Sequence, residues 1–182
     1  MIDTDETVVL VDAQGRDMGA APKLQAHIYG LKHRAISVLI KNGAGQFLLQ
    51  KRYSGKYHSG GLWTNACCSH PRPGEQPLLA AARRLQDEMG FTTELAPLFI
   101  VEYRAQVGAL IEDEYVHVFG GTHDGLISPD PLEVEGCKWV SLKDLQNDMQ
   151  RDPNAYTAWF LEYMRLHRVQ IASFLAPENG LF

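Results

Sequence analysis

The segment Pro77–Met89 constrains this chain most, because it reads as a complete amphipathic helix set among apolar runs of strand length. Leu78, Ala82, Leu85 and Met89 fall on one face at helical spacing. Pro77 stands where a first helical residue can lack its N–H, and Gly90 where a left-handed cap belongs. Strands flank it. Thr7–Val11 closes on the turn signal Asp12-Ala13-Gln14-Gly15, and Ala35–Ile40 and Gln46–Gln50 surround the hairpin-type connection Asn42-Gly43-Ala44-Gly45. Leu98–Arg104, Tyr115–Gly121 and Cys137–Val140 read as further strands, and Leu62–Pro71 as irregular. Ser141 is placed to cap a short helix, and Ala155–Phe174 carries the spacing of a C-terminal helix. Helices and strands do not alternate regularly, so the expectation is α+β rather than a doubly wound sheet. The 182 residues suit one domain.

Composition excludes several functions. Lys and Arg total 17 against 22 Asp and Glu, a net charge of −5, with no basic stripe to meet a nucleic-acid backbone. The acidic start MIDTDETVVLVDAQG does not read as a signal peptide, and no run approaches the ~20 apolar residues of a membrane span. Three cysteines, two of them adjacent, make a poor disulfide framework. A soluble, reduced, cytoplasmic protein is expected, without nucleic-acid or membrane partners, as a monomer or homodimer.

The charges of the helix are arranged in an unexpected order. Arg83 with Asp87 and Arg84 with Glu88 are i,i+4 pairs, worth a few tenths of a kcal/mol each on a solvated face. Yet the acids lie C-terminal to the bases, in the last turn, where the helix dipole disfavours negative charge. Divalent cations take carboxylate oxygens, and a diphosphate takes both such a cation and arginine. The segment resembles the Nudix box, with Glu75, Arg83, Leu85, Asp87, Glu88, Gly90 and Phe91 in register. Ser69 replaces its leading glycine, Arg84 its first helical glutamate, and Asp87 one of its glutamate pair. Part of the carboxylate set that serves hydrolysis is therefore missing.

Upstream runs Trp63-Thr64-Asn65-Ala66-Cys67-Cys68-Ser69-His70-Pro71. A lone cysteine is ordinarily a small buried hydrophobe and a lone histidine a satisfied polar group. Here His27, His33 and His70 accompany Glu112 and Glu114, which would share one face of a strand. Three imidazoles and two carboxylates suit an octahedral-type site for Mn²⁺, Mg²⁺ or Zn²⁺.

From about Thr7 to the helix containing Trp159, the chain resembles the type 1 isopentenyl-diphosphate Δ-isomerases, a Nudix-fold family of isoprenoid biosynthesis. The motifs stand in order: Lys23, His27 and His33; Lys51-Arg52 and Lys56; Trp63-Thr64-Asn65-x-x-Cys68-x-His70-Pro71; Arg83-Arg84 and Glu88; Tyr103-Arg104; Glu112-x-Glu114. His27 and His33 stand one residue closer than in the bacterial pattern, and Cys67 is an extra thiol.

The resemblance implies a Nudix-type fold of mixed β-sheets sandwiched between helices. It also implies one domain over 1–182, with a core at about 31–165 and the strand and metal-ligand segment of 1–30 packed on it. Cys68 and Glu114 become the proton-transfer groups, with Tyr103 as relay and the forward direction left open. His27, His33, His70, Glu112 and Glu114 become ligands of the Mn²⁺, Mg²⁺ or Zn²⁺ site. Glu88 carries a Mg²⁺ that accompanies the diphosphate, and Cys68 also stands among the metal ligands. Lys23, Arg52, Lys56 and Arg84 hold the diphosphate, and Trp159 is an aromatic lid. Two other functions fit a Nudix-type chain. A Nudix pyrophosphatase would keep the glutamate at position 84, and a non-enzymatic Nudix module would lose Cys68 or Glu114.

Overall fold

The computed structural model describes residues 6–56 and 58–176. In chain order the elements are β1 (Thr7–Val11), β2 (Asp17–Pro22), α1 (Lys23–Tyr29), β3 (His33–Lys41), β4 (Phe47–Arg52), β5 (Trp63–Asn65), β6 (Cys67–Ser69), α2 (Pro77–Met89), β7 (Ala96–Val107), β8 (Leu110–Thr122) and β9 (Val134–Val140). Then follow α3 (Leu142–Arg151), a 3₁₀ turn (Pro153–Ala155), α4 (Ala158–Leu166) and α5 (Arg168–Leu175).

Strand β3 is the hub of a mixed sheet. It pairs in parallel with β8, from His33 opposite Glu114 to Lys41 opposite Thr122. Its other edge takes β6 antiparallel, with Ser37 opposite Cys68. β7 lies antiparallel on β8, and β4 carries β5 and β9 on its two edges. Only Lys41 and Phe47 join β3 to β4, while β1 reaches β3 through Leu10 and His33.

Alternation along β3 divides the core. Ile36, Val38 and Ile40 face a cluster completed by Ala80, Ala81, Leu85 and Met89 of α2. Ala35 and Leu39 face a second cluster with Leu145 and Met149 of α3, Trp159, Phe160 and Tyr163 of α4, and Ile171 and Leu175 of α5. Strands thus lie between α2 on one side and the C-terminal helices on the other. Full burial of such a side chain contributes ~1.5–3 kcal/mol, so the two clusters fix the layers. Gly90 ends α2 at φ 75°, and a Cβ there would lie 2.1 Å from the Ser128 carbonyl oxygen. Only glycine fits that approach.

The observed chain corrects two sequence expectations and adds two elements. Leu62–Pro71 is not irregular throughout, since it holds the three-residue strands β5 and β6. The C-terminal helix is two helices, broken at His167 (φ −119°, ψ 29°), whose ring stacks on Phe99 at a 4.2 Å centroid distance. β2 and α1 had no signal: Asp17–Ala20 is exposed and shows no alternation, and α1 has seven residues, too few for a period. Among the described residues, no helix is long and apolar enough to cross a membrane.

Candidate active site

The site continues one face of β3 beyond its apolar part. His33, Ala35, Ser37 and Leu39 alternate with the residues facing α2, so Ser37 and His33 point toward the C-terminal helices. The parallel register brings Glu114 beside His33, and the same parity puts Glu112, Val116 and Val118 on that face. β7 adds Tyr103, opposite Glu114, and β6 adds Cys68, opposite Ser37. Trp159 and Tyr163 of α4 cover the row. α1 supplies His27, and the turn to β3 passes through Gly30 at φ 59°, where a Cβ would meet Arg104 and Ile111 at 2.9 Å.

His27, His33, His70 and Glu114 converge, with one ligand atom from each lying within 4.8 Å of the others. The ring centroids of His27 and His33, and of His33 and His70, are 5.0 Å apart, so the shorter spacing does not separate these histidines. All four residues are buried. His33 Nδ1 donates to the Leu31 carbonyl at 2.8 Å. In the neutral ring, Nε2 then carries a lone pair, and it faces Glu114 Oε1 at 3.5 Å. Two acceptors meet in a dry interior, an arrangement that a cation between them reverses from repulsive to attractive. Burial, with the nearby charge of His70, lowers the pKa of His27 to about 3, and burial also lowers that of His70. Both are therefore neutral near pH 7, the form that binds metal. The donor set fits a divalent ion.

Glu112 sits one hydrogen bond further out. The Tyr103 hydroxyl lies 2.7 Å from Glu114 Oε2 and 2.9 Å from Glu112 Oε2. One phenolic proton cannot serve both carboxylates. Burial and the Glu114 charge push the Glu112 pKa up to about 8, so Glu112 holds a proton of its own. Burial opposes ionisation of Glu114 too, but the His33 and His70 rings beside it, His70 Nε2 at 3.1 Å, hold it well below the carboxylate range. The result is a chain from protonated Glu112 through Tyr103 to ionised Glu114.

Across β3, Cys68 Sγ lies 3.1 Å from Asn65 Oδ1 and 3.3 Å from Ser37 Oγ. Burial pushes its pKa to about 12, which keeps it a thiol. Cys67 points the other way, fully buried in the α2 cluster. Adjacent side chains on a strand take opposite faces, and this pair does.

Four cations line the same cavity, of about 150 Å³: Lys23, Arg52, Lys56 and Arg84. Each lies beside a carboxylate or an aromatic face. Lys23 Nζ is 2.5 Å from Glu6 Oε2, Lys56 pairs with Glu133, and Arg52 lies over the Trp159 ring at 5.2 Å. Arg84 bonds Glu88 at 2.9 Å and approaches Glu133 at 3.6 Å. Trp159 donates through Nε1 to Thr64 Oγ1 at 2.9 Å.

Most of the residues singled out from the sequence line this one cavity, and His27 and His33 meet His70 and Glu114 of its lining. The metal-type cluster gathers four of five expected ligands, and Glu112 stands beside it. Cys68 lies outside that cluster, its thiol held by Asn65 and Ser37; Glu88, expected at a separate Mg²⁺, has its carboxylate held by Arg84 and Gln50. Arg83 bonds Glu75 through two nitrogens at 2.8 Å, and Asp87 is only a distant partner at 3.8 Å. Sequence reasoning missed His58, whose Nδ1 is 3.5 Å from Glu112 Oε1, together with Glu133, Tyr163 and Ser37. A histidine two residues after Lys56 was the available signal for the first, and a serine in an apolar strand for the last.

Comparison with known proteins agrees with this geometry. Residues 31–160 match the NUDIX domain. A protein of Burkholderia multivorans named isopentenyl-diphosphate Delta-isomerase is 46% identical over 157 residues, covering 86% of this chain and 89% of that protein. One of the same name from Serratia proteamaculans is 45% identical over 162 residues, covering 88% and 90%. Among solved structures, the MutT protein of Methanosarcina mazei aligns with a TM-score of 0.63 at 21% identity, over 75% of this chain and 94% of that one. The MutT NUDIX hydrolase of Burkholderia pseudomallei gives 0.57 at 20% identity, over 78% and 96%. At these identities the solved structures show the fold alone.

Proposed function

The chain belongs to the NUDIX family and, within it, to the isopentenyl-diphosphate Delta-isomerases, and we propose that its cavity interconverts isopentenyl and dimethylallyl diphosphate by two proton transfers. The observation that carries this reading is the pairing, in one cavity, of a neutral thiol on β6 with the Glu112–Tyr103–Glu114 chain on β7 and β8. Shifting an isolated double bond requires a proton delivered to one carbon and another removed two carbons away. The two groups flank β3, so a five-carbon chain lying over Ala35 has one on either side. A cavity of this size admits a hydrocarbon about as large as benzene.

The intermediate state carries positive charge on a tertiary carbon, which the reaction must shield from water. The Trp159 face supports such charge, by ~2 kcal/mol or more when desolvated. Lys23, Arg52, Lys56 and Arg84 exchange their present partners for diphosphate oxygens, and the binding energy gained holds the alkene in place. Arg84 neutralises an oxygen without activating water, and the remaining acids of α2 are engaged or exposed, so the helix offers no hydrolytic carboxylate set. His27, His33, His70 and Glu114, with Glu112 adjacent, would hold Mn²⁺, Mg²⁺ or Zn²⁺. Glu88 would meet a Mg²⁺ arriving with the diphosphate. These ions supply fixed positive charge that orients Glu114 and offsets the charge of the substrate.

Isopentenyl diphosphate, incubated with the protein and Mg²⁺, tests the proposal. Dimethylallyl diphosphate without phosphate release is expected. Phosphate release without the isomer would establish a pyrophosphatase instead.

A further inference from the structure

We propose that Asn65 and Ser37 form a two-sided cradle for Cys68, in which Asn65 Oδ1 accepts the hydrogen bond of the intact thiol and Ser37 stabilises the sulfur after its proton has left for the substrate carbon. The inference rests on the reading of Cys68 as a proton-transfer group.

Proton accounting fixes the direction of each bond. Asn65 is fully buried, and its Nδ2 lies 2.8 Å from Ser37 Oγ and 2.9 Å from the Val38 and Cys67 carbonyls. Carbonyls only accept, so the nitrogen end of the amide belongs there and Oδ1 faces Cys68. Trp159 Nε1, a donor only, and Thr157 Oγ1 both approach Thr64 Oγ1 at 2.9 Å. Thr64 therefore spends its own proton on Asn65 Oδ1, at 3.1 Å. The second lone pair of Oδ1 is left for the Cys68 S–H, also at 3.1 Å. Asn65 is a positioning residue that cannot turn round.

Ser37 stands on the other side. The β3–β6 register sets it opposite Cys68, in a row otherwise occupied by Ala35 and Leu39. A hydroxyl fully buried at a strand position is costly unless it is bonded. Its oxygen accepts from Asn65, and its proton can turn to Cys68 Sγ at 3.3 Å or to the neighbouring Tyr163 hydroxyl. When the S–H bond breaks, its electron pair stays on sulfur and the proton joins the π electrons in a new C–H bond. In the reverse sense sulfur takes the proton from carbon and the double bond re-forms. Either way the sulfur passes through a thiolate, which Asn65 Oδ1 cannot serve. Ser37 O–H can, and a hydrogen bond to a charged acceptor is about twice as strong as a neutral one. Because it touches a reacting atom, Ser37 is a catalytic residue.

The test is Ser37→Ala in the full-length, metal-loaded protein. We expect kcat for isopentenyl diphosphate to fall about ten- to a hundredfold, with KM changed by less than about threefold. Ser37→Thr, which keeps the hydroxyl, should recover most of the rate. In a Cys67→Ala, Cys137→Ser background, the infrared S–H stretch of Cys68 should keep its hydrogen-bonded position in Ser37→Ala, since its acceptor is Asn65. A Ser37→Ala kcat within about twofold of wild type would overturn the proposal, and so would an S–H band that moves when Ser37 is removed. If Ser37→Thr does not fold, the Ser37→Ala kinetics and the infrared band still decide. Normal turnover by Cys68→Ala would instead refute the underlying reading.

Discussion

Cys67 and Cys68 are neighbours in sequence on opposite faces of one three-residue strand, and removing each sulfur should damage a different property. Cys67 is fully buried among Ile36, Val38, Ala66 and α2. Cys67→Ala deletes one heavy atom, costing ~0.8 kcal/mol of transfer free energy and ~0.5 kcal/mol more for the cavity left behind. For a chain of this length that lowers Tm by roughly 3–5 °C and leaves turnover within about twofold. Cys68 Sγ already borders open cavity, so Cys68→Ala should lower Tm less. Its kcat should nevertheless fall by ~10²–10⁴, the usual worth of a proton-transfer group. Calorimetric Tm and the rate of dimethylallyl diphosphate formation, measured on both variants, make the comparison. Equal activity losses in two folded variants would show that the face assignment of β6 is wrong.

Further predictions follow from the helix and the metal-type cluster. Arg84→Glu sets a third carboxylate beside Glu88 and Glu133; KM for isopentenyl diphosphate should rise at least ~10-fold, and released phosphate should stay at background. Hydrogen bonds from Arg83 hold the Glu75 pKa down to about 2. Its contribution to stability is complete above the ordinary carboxylate value and is lost as pH falls from about 4.5 toward 2, so thermal melts of Glu75→Gln should depend less on pH across that window. Adding Mn²⁺ or Zn²⁺ to chelator-treated protein should raise Tm, by ~2.7 kcal/mol of stabilisation at a hundredfold excess over Kd. His33→Ala should abolish that rise.

Local pattern made much of this molecule legible. The bounds of α2 could be read to the residue, because Pro77 and Gly90 punctuate a clear period. Glu112 and Glu114 could be placed on one face because strand alternation is local. What pattern cannot supply is contact between distant segments. The pairing of Glu133 with Lys56 and Arg84 links positions far apart in sequence, and His58 reaches Glu112 from a loop with no period of its own. Ser37 is one polar residue within the strand-like run Ala35–Ile40, and only the β3–β6 register sets it against Cys68. Asn65 stood in a recognised motif, but its role depends on which way an amide points, and only its neighbours decide that.

The central claim is that two groups, Cys68 and the carboxylate chain ending at Glu114, move the protons. Isomerisation in D₂O, followed by NMR of the dimethylallyl diphosphate formed, tests it most directly. Wild-type protein should place solvent deuterium on the carbon that was the terminal alkene carbon. Cys68→Ala and Glu114→Gln, each folded and each still binding the diphosphate, should form labelled product at least ~10²-fold more slowly. Either variant yielding deuterated product at a rate near that of the wild type would contradict the account.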